Sequence, residues 1–251
     1  MSNWSYAEGG VEGPALVIFH GIFGDKNNWK TVAQKLKGFH LYYVDLPGHG
    51  ETPSARSWTL EDLAKEGWDW IHQTHIQNPI LLGHSWGGKI AWEMALQQPK
   101  EVRALIIGDI GPVRTPIEIL KIGAILNEAS QFSDRDGVKQ VLLKYFQPNL
   151  AGFFLKSWRG GEQPWVFDLP SFITNAESLR RGLEPTRQYP GPVLQIWGEK
   201  SEYPTPEALQ QSQLFFPKLT TRFVDGAGHW FHAENPQKTL EILQEFLENL
   251  F

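Results

Sequence analysis

The sequence predicts an α/β protein: a mostly parallel, doubly wound sheet interrupted once by a helical insertion. Three observations carry this. Short apolar runs ending in turn residues alternate with segments of helical period, the rhythm of parallel strands joined by crossover helices. That rhythm stops across residues 112–189 and resumes afterwards. With 251 residues, 41% of them hydrophobic and 20% charged, the chain has enough apolar material for one such core and needs no second one.

The elements follow in order. Residues 1–10 are mixed and polar, without the basic start and apolar run of an export signal. The run 15–19 reads as a buried strand, 28–36 as a helix and 40–44 as the next strand. Thr59 followed by Asp62 gives a helix start, and the pattern continues to 73. Then come a strand at 79–82, a helix at 87–97 and a strand at 102–107. Residues 112–189 carry helical patterns and loops rich in Trp, Phe, Gly and Pro, with no convincing strand. Tyr189-Pro190-Gly191-Pro192 punctuates the return to a strand at 193–197. A helix at 206–216 and a strand at 221–224 follow. Pro236 opens a last helix to 251, with Leu240, Leu243, Phe246 and Leu247 on one face. The expected division is a core of 1–111 and 190–251, with 112–189 inserted in it.

Composition excludes several chemistries. There is no cysteine, which removes disulfides, thiol nucleophiles and thiolate metal sites. A net charge of −5 with interleaved signs offers no basic face to nucleic acid. No apolar run approaches the roughly 18 residues of a membrane span, so a cytoplasmic protein without membrane partners is expected.

The strongest motif is Gly83-His84-Ser85-Trp86-Gly87-Gly88, directly after an apolar strand and directly before a helix. Such a turn needs small flanking residues and holds the serine oxygen at a helix N-terminus. A serine hydroxyl needs a neighbouring base, which histidine provides near neutral pH. His229 is placed for this, on the Gly-rich loop Asp225-Gly226-Ala227-Gly228-His229 after the last strand, at the end of a doubly wound sheet where ligands collect. Two amides must hold the oxyanion: Trp86 follows the nucleophile, and His20-Gly21-Ile22-Phe23-Gly24 offers a second at Ile22, with Phe23 as competitor. The acid that orients His229 is open between Asp109, in Ile107-Gly108-Asp109-Ile110-Gly111, and Glu199 or Glu202. Asp109 in a lesser role would only cap the following turn. His229, His232 and Glu234 are better explained by His232 anchoring the loop than by a metal, for which no third ligand cluster exists. His72 and His75 read as solvated, and His84 as structural or pocket-shaping.

Through His20-Gly21, Asp45-Leu46-Pro47-Gly48-His49-Gly50, Gly83 to Gly88 and Gly228-His229, the chain resembles the α/β-hydrolase family over essentially its whole length. Within it, the segments around Ser85, Asp109 and His229 are similar to those of small bacterial esterases that hydrolyse short-chain acyl esters, which also lack an aspartate at the Ser201 position. The resemblance implies an α/β-hydrolase fold whose insertion is a helical cap, and favours Asp109 as the acid. It implies a serine carboxylesterase on small-molecule esters, working through an acyl-enzyme without metal or organic cofactor, as monomer or homodimer. Phe23, His84, Trp158 and Trp165 are candidate substrate-binding residues, with Phe153, Phe154 and Phe167 beside them or in the cap's own core. Relatives often carry Met or Leu where Trp86 stands, which implies a smaller acyl pocket here. Competing readings are a C-C bond hydrolase, a perhydrolase and a non-catalytic ligand-binding relative. A menaquinone-pathway lyase is a fourth, although that enzyme typically has Tyr at the His84 position and aspartate at the Ser201 position. Ser85 excludes a dehalogenase, which needs an aspartate nucleophile.

Overall fold

The computed structural model describes residues 3–10, 12–55, 57–184 and 186–251. The apolar runs form one sheet of β1 (Tyr6–Gly9), β2 (Ala15–Phe19), β3 (His40–Val44), β4 (Ile80–His84), β5 (Ala104–Gly108), β6 (Val193–Gly198) and β7 (Leu219–Val224), in the order β1-β3-β2-β4-β5-β6-β7. Every pairing is parallel except that of β1 with β3. β4, β5 and β6 are buried along their whole length, as strands covered on both faces must be. β1 lies outside the sequence reading. Its exposure alternates with a more covered face, and as an antiparallel edge strand it needs no apolar run.

Side-chain alternation along β2 divides the core in two. Leu16 and Ile18 join a layer with Trp29, Phe231 and Leu243, while Val17 and Phe19 join the larger layer with Trp68, Trp92 and the segment after β5. Helices α1 (Lys30–Ala33), α2 (Leu60–Gln73) and α3 (Trp86–Gln97) connect the first strands. α2 starts where Thr59 Oγ1 accepts the Asp62 amide, and buries Leu63, Trp70 and Ile71.

Between β5 and β6 lie α4 (Ile119–Ala129), α5 (Arg135–Tyr145), α6 (Pro148–Ser157), α7 (Leu169–Thr174) and α8 (Ala176–Arg180). The two ends of this stretch are tied together, with Leu183 N donating to Pro112 O at 2.6 Å and Thr115 N to Arg180 O at 2.8 Å. α3 grips both ends. The fully buried Lys89 donates from Nζ to Val113 O (3.0 Å) and Arg181 O (2.7 Å), and burial pulls its ammonium down to about 7. One turn on, buried Glu93 accepts from Arg187 at 2.7 Å.

The chain closes through α9 (Pro206–Phe215), β7, α10 (Phe231–Glu234) and α11 (Pro236–Glu248). Thr205 and Asn235 cap α9 and α11, each followed by proline in the first turn. No helix among the described residues is long and apolar enough to cross a membrane.

Candidate active site

Ser85 sits between β4 and α3 with φ 53° and ψ −123°, a strained backbone for a residue with a Cβ. The turn is tight enough to forbid larger neighbours: a Cβ on Gly83 would lie 2.3 Å from Gly87 O, and one on Gly87 2.3 Å from His20 O. The Ser85 amide is held by Gly108 O at 2.7 Å, so the hydroxyl projects at the start of α3. Chain crowding, more than any side-chain bond, aims the Ser85 hydroxyl.

His229, on the loop after β7, meets Ser85 at one nitrogen and Asp109 at the other. Its Nε2 lies 3.1 Å from Ser85 Oγ, and its Nδ1 2.7 Å from Asp109 Oδ2. The network assigns the tautomer, Nδ1 donating to the carboxylate and Nε2 accepting the serine proton. Asp109, at the end of β5 with φ 48°, is fully buried. Its Oδ1 accepts the Gly198 amide at 2.8 Å, and its Oδ2 also accepts the Ser201 hydroxyl. Of the three candidate acids only Asp109 is brought to the base. Glu199 turns away to accept the Gly226 amide at 2.7 Å, and Glu202 is exposed.

The loop after β2 separates the two oxyanion candidates. The Phe23 amide donates to His49 Nε2 at 3.1 Å, so it is engaged. The amides of Ile22 and Trp86 meet no acceptor among the described residues. His49 Nδ1 in turn donates to Pro47 O, while His20 Nδ1 donates to Gly21 O and its Nε2 accepts from Leu46 N. Burial lowers the pKa of both rings, that of His49 furthest, and keeps them neutral. This role for His20 and His49 was legible only as shared membership of two motifs.

Ser85 and His229 open on a cavity of about 1280 Å³. Ile22, Phe23, Ile117, Ile122, Phe153 and Phe154 form its apolar wall, while Asn28, Gln147, Lys156 and Lys200 stand on the polar side. His84 borders it and donates from Nε2 to the carbonyl of His229 at 2.8 Å, tying the end of β4 to the loop after β7. Burial and the neighbouring His232 and His229 hold its pKa well below the usual range. His232 stacks on Trp29 at 4.4 Å, and burial pushes it down to about 3.

Four expected aromatics, Trp86, Trp158, Trp165 and Phe167, do not line this cavity. Trp165 stacks on Phe167, donates to Ser130 Oγ at 2.9 Å and, with Phe167, borders a separate cleft beside residues 159–170. Trp158 bridges to Trp165 and covers Gly160. Trp86 points its ring into the core against Trp58, so its bulk does not narrow this cavity. Trp165 and Trp86 are retained by neighbouring aromatic rings, and Trp158 by its backbone bridge. Ser201 and Tyr203, neither singled out as a site residue by motif, do reach the site.

Known proteins resemble the chain over most of its length. The family model described as the alpha/beta hydrolase family matches residues 16–242. The sn-1-specific diacylglycerol lipase ABHD11 of Xenopus laevis is 30% identical, over 98% of this chain and 84% of its own length. Esterase YbfF of Escherichia coli is 27% identical over 93% of each chain. A solved structure of a marine microorganism esterase matches with a TM-score of 0.90 and 28% identity, covering 98% of this chain and 100% of its own.

Proposed function

The chain belongs to the alpha/beta hydrolase family and is of the esterase and lipase type, and we propose that it is a serine carboxylesterase acting through an acyl-enzyme. The observation that carries this is the single imidazole within hydrogen-bond reach of both Ser85 Oγ and the buried Asp109 carboxylate. His229 takes the Ser85 proton as Oγ bonds to the ester carbonyl. The amides of Ile22 and Trp86 hold the oxyanion. The protonated His229 gives its proton to the leaving alkoxide, and the C–O bond to the alcohol breaks. Water then adds to the acyl carbon with His229 again as base, and the acid leaves Ser85 free. Side chains, amides and water suffice for each step, so no metal or organic cofactor is required.

Residues 112–189 act as a cap, supplying Phe153 and Phe154 to the acyl wall. Small-molecule esters of short acids are the proposed substrates. A second reading, a glyceride lipase, is favoured by the cavity volume, which exceeds the ~300–1,000 Å³ usual for small-ligand sites. A p-nitrophenyl ester series from acetate to dodecanoate, run beside a diacylglycerol emulsion, separates the two. Ser85→Ala and His229→Ala should abolish turnover in either case. Wild-type protein that turns over no ester would move the reading to a C-C bond hydrolase, a lyase or a ligand-binding relative.

A further inference from the structure

One hydrogen bond at each nitrogen holds the His229 ring in place. The pair fixes where the ring sits but leaves it able to rock about the axis joining its two partners. A contact on the ring face removes that freedom. Tyr203 supplies a parallel one, its ring stacked on the imidazole at 4.3 Å between centroids and 17° between planes. His84 and Trp230 meet the base at 44° and 78°, as tilted and edge contacts.

Tyr203 is itself held. Its amide donates to Ser201 Oγ at 3.2 Å, and that hydroxyl donates to Asp109. Its carbonyl accepts from Thr205 N at 2.8 Å, and its ring packs against the larger core layer. Burial, with Asp109 and Glu202 nearby, pushes the phenol well up, so the ring stays neutral. The end of β6 and the loop after it thus reach both members behind the nucleophile: Gly198 and Ser201 touch the acid, and Tyr203 touches the base.

We infer that Tyr203 is a positioning residue, whose ring fixes the plane of His229 so that Nδ1 faces Asp109 while Nε2 faces Ser85. The inference rests on the proposed roles of those three residues. Proton transfer at Nε2 is steeply sensitive to alignment, and misplacement by about 1 Å costs on the order of a hundredfold in rate. Rocking displaces the ring by less than that, so the expected loss is smaller. An aromatic ring without the hydroxyl should serve equally, because the contact is made by the face.

The test compares Tyr203→Phe with Tyr203→Leu, and with Tyr203→Met as a second non-aromatic variant, each first checked for an unaltered cooperative melt. With p-nitrophenyl butyrate, Y203L and Y203M should lose about five- to fiftyfold in kcat with KM within about twofold. Y203F should stay within about twofold of wild type in both. Fluorophosphonate labelling of Ser85 should slow in the same order. Full kcat in Y203L, a loss confined to KM, or equal impairment of Y203F would each overturn the inference. A wild-type protein with no ester turnover and no labelling would overturn the esterase reading instead. The low-field proton resonance of the His229 to Asp109 bond then decides for Tyr203: sharp in Y203F and broadened in Y203L supports it, and sharp in both overturns it.

Discussion

Asp109→Asn is the most informative single change, because the structure dictates which way the new amide must face. Asp109 Oδ1 accepts the Gly198 amide, a donor that cannot reverse, so the oxygen of the introduced carboxamide is held there. The NH2 group then takes the place of Oδ2 and points at His229 Nδ1. Ser201 can turn its hydroxyl to accept from that group, so nothing opposes the arrangement. A donor at Nδ1 forces the imidazole proton onto Nε2, where it can no longer accept from Ser85. The wrong tautomer costs roughly 10³- to 10⁴-fold in kcat, about 4 to 5 kcal/mol of barrier. Stability should change little, since the shape and two of the hydrogen bonds persist. The assay is kcat and KM for p-nitrophenyl butyrate, with the thermal midpoint beside it. A loss below about tenfold with an unchanged midpoint would refute the reasoning and return the acid to Glu199 or Glu202.

Other changes test the scaffold around the site. Gly87→Ala drives a Cβ to 2.3 Å from His20 O; a loss of about 3 kcal/mol or outright misfolding is expected, and a soluble variant with a wild-type urea midpoint would contradict it. His49→Phe removes the acceptor that holds the Phe23 amide, so kcat should fall about tenfold through loosening of the Ile22 donor while KM moves less, measured on the same ester. Acid should unfold the protein early. His20, His49, His84 and His232 are buried with depressed pKa values, that of His232 at about 3. The unfolded chain therefore binds protons the native one refuses: stability is full above the unfolded value of about 6.5 and is lost as pH falls from there toward 3, at up to about 1.4 kcal/mol per pH unit per group. Urea midpoints that stay level from pH 7.5 to 4.5 would exclude this.

The sheet was legible because parallel strands write themselves as apolar runs, and six of the seven strands were read from these, although β7 starts two residues before the run expected at 221–224 and is buried only at Val224. β1 was not, since Tyr6, Ala7, Glu8 and Gly9 carry an edge strand by pairing with β3 and little by burial. The last helix ends at Glu248, short of the chain end, and α1 is one turn of the nine residues expected, its remainder taken up by flanking turns. At the site, Ser85 and His229 announce themselves through local backbone demands, glycines that a tight turn requires. Asp109 is reached by elimination plus resemblance, because the bond from β5 to a loop after β7 spans 120 positions. The pocket was the least legible part. Trp158, Trp165 and Trp86 are aromatic in a plausible region, yet which face an aromatic presents depends on how α4 to α8 pack, and no periodicity records that. Tyr203 carries no motif at all; only its stacking distance reveals it.

The clasp at the base of residues 112–189 bears on how such a protein can change. Because Pro112 and Leu183 are hydrogen-bonded neighbours, the chain leaves the sheet and returns to it at one doorway, and Lys89 holds both jambs. Whatever hangs beyond the doorway can be lengthened, shortened or exchanged for another piece with little closure cost, while Ser85, Asp109 and His229 keep their footing at the ends of β4, β5 and β7, outside it. If the proposed roles hold, a graft between relatives cut at these two residues should carry substrate preference with it and leave the chemistry behind, a change read as a shifted ester-chain profile with Ser85 labelling unaltered.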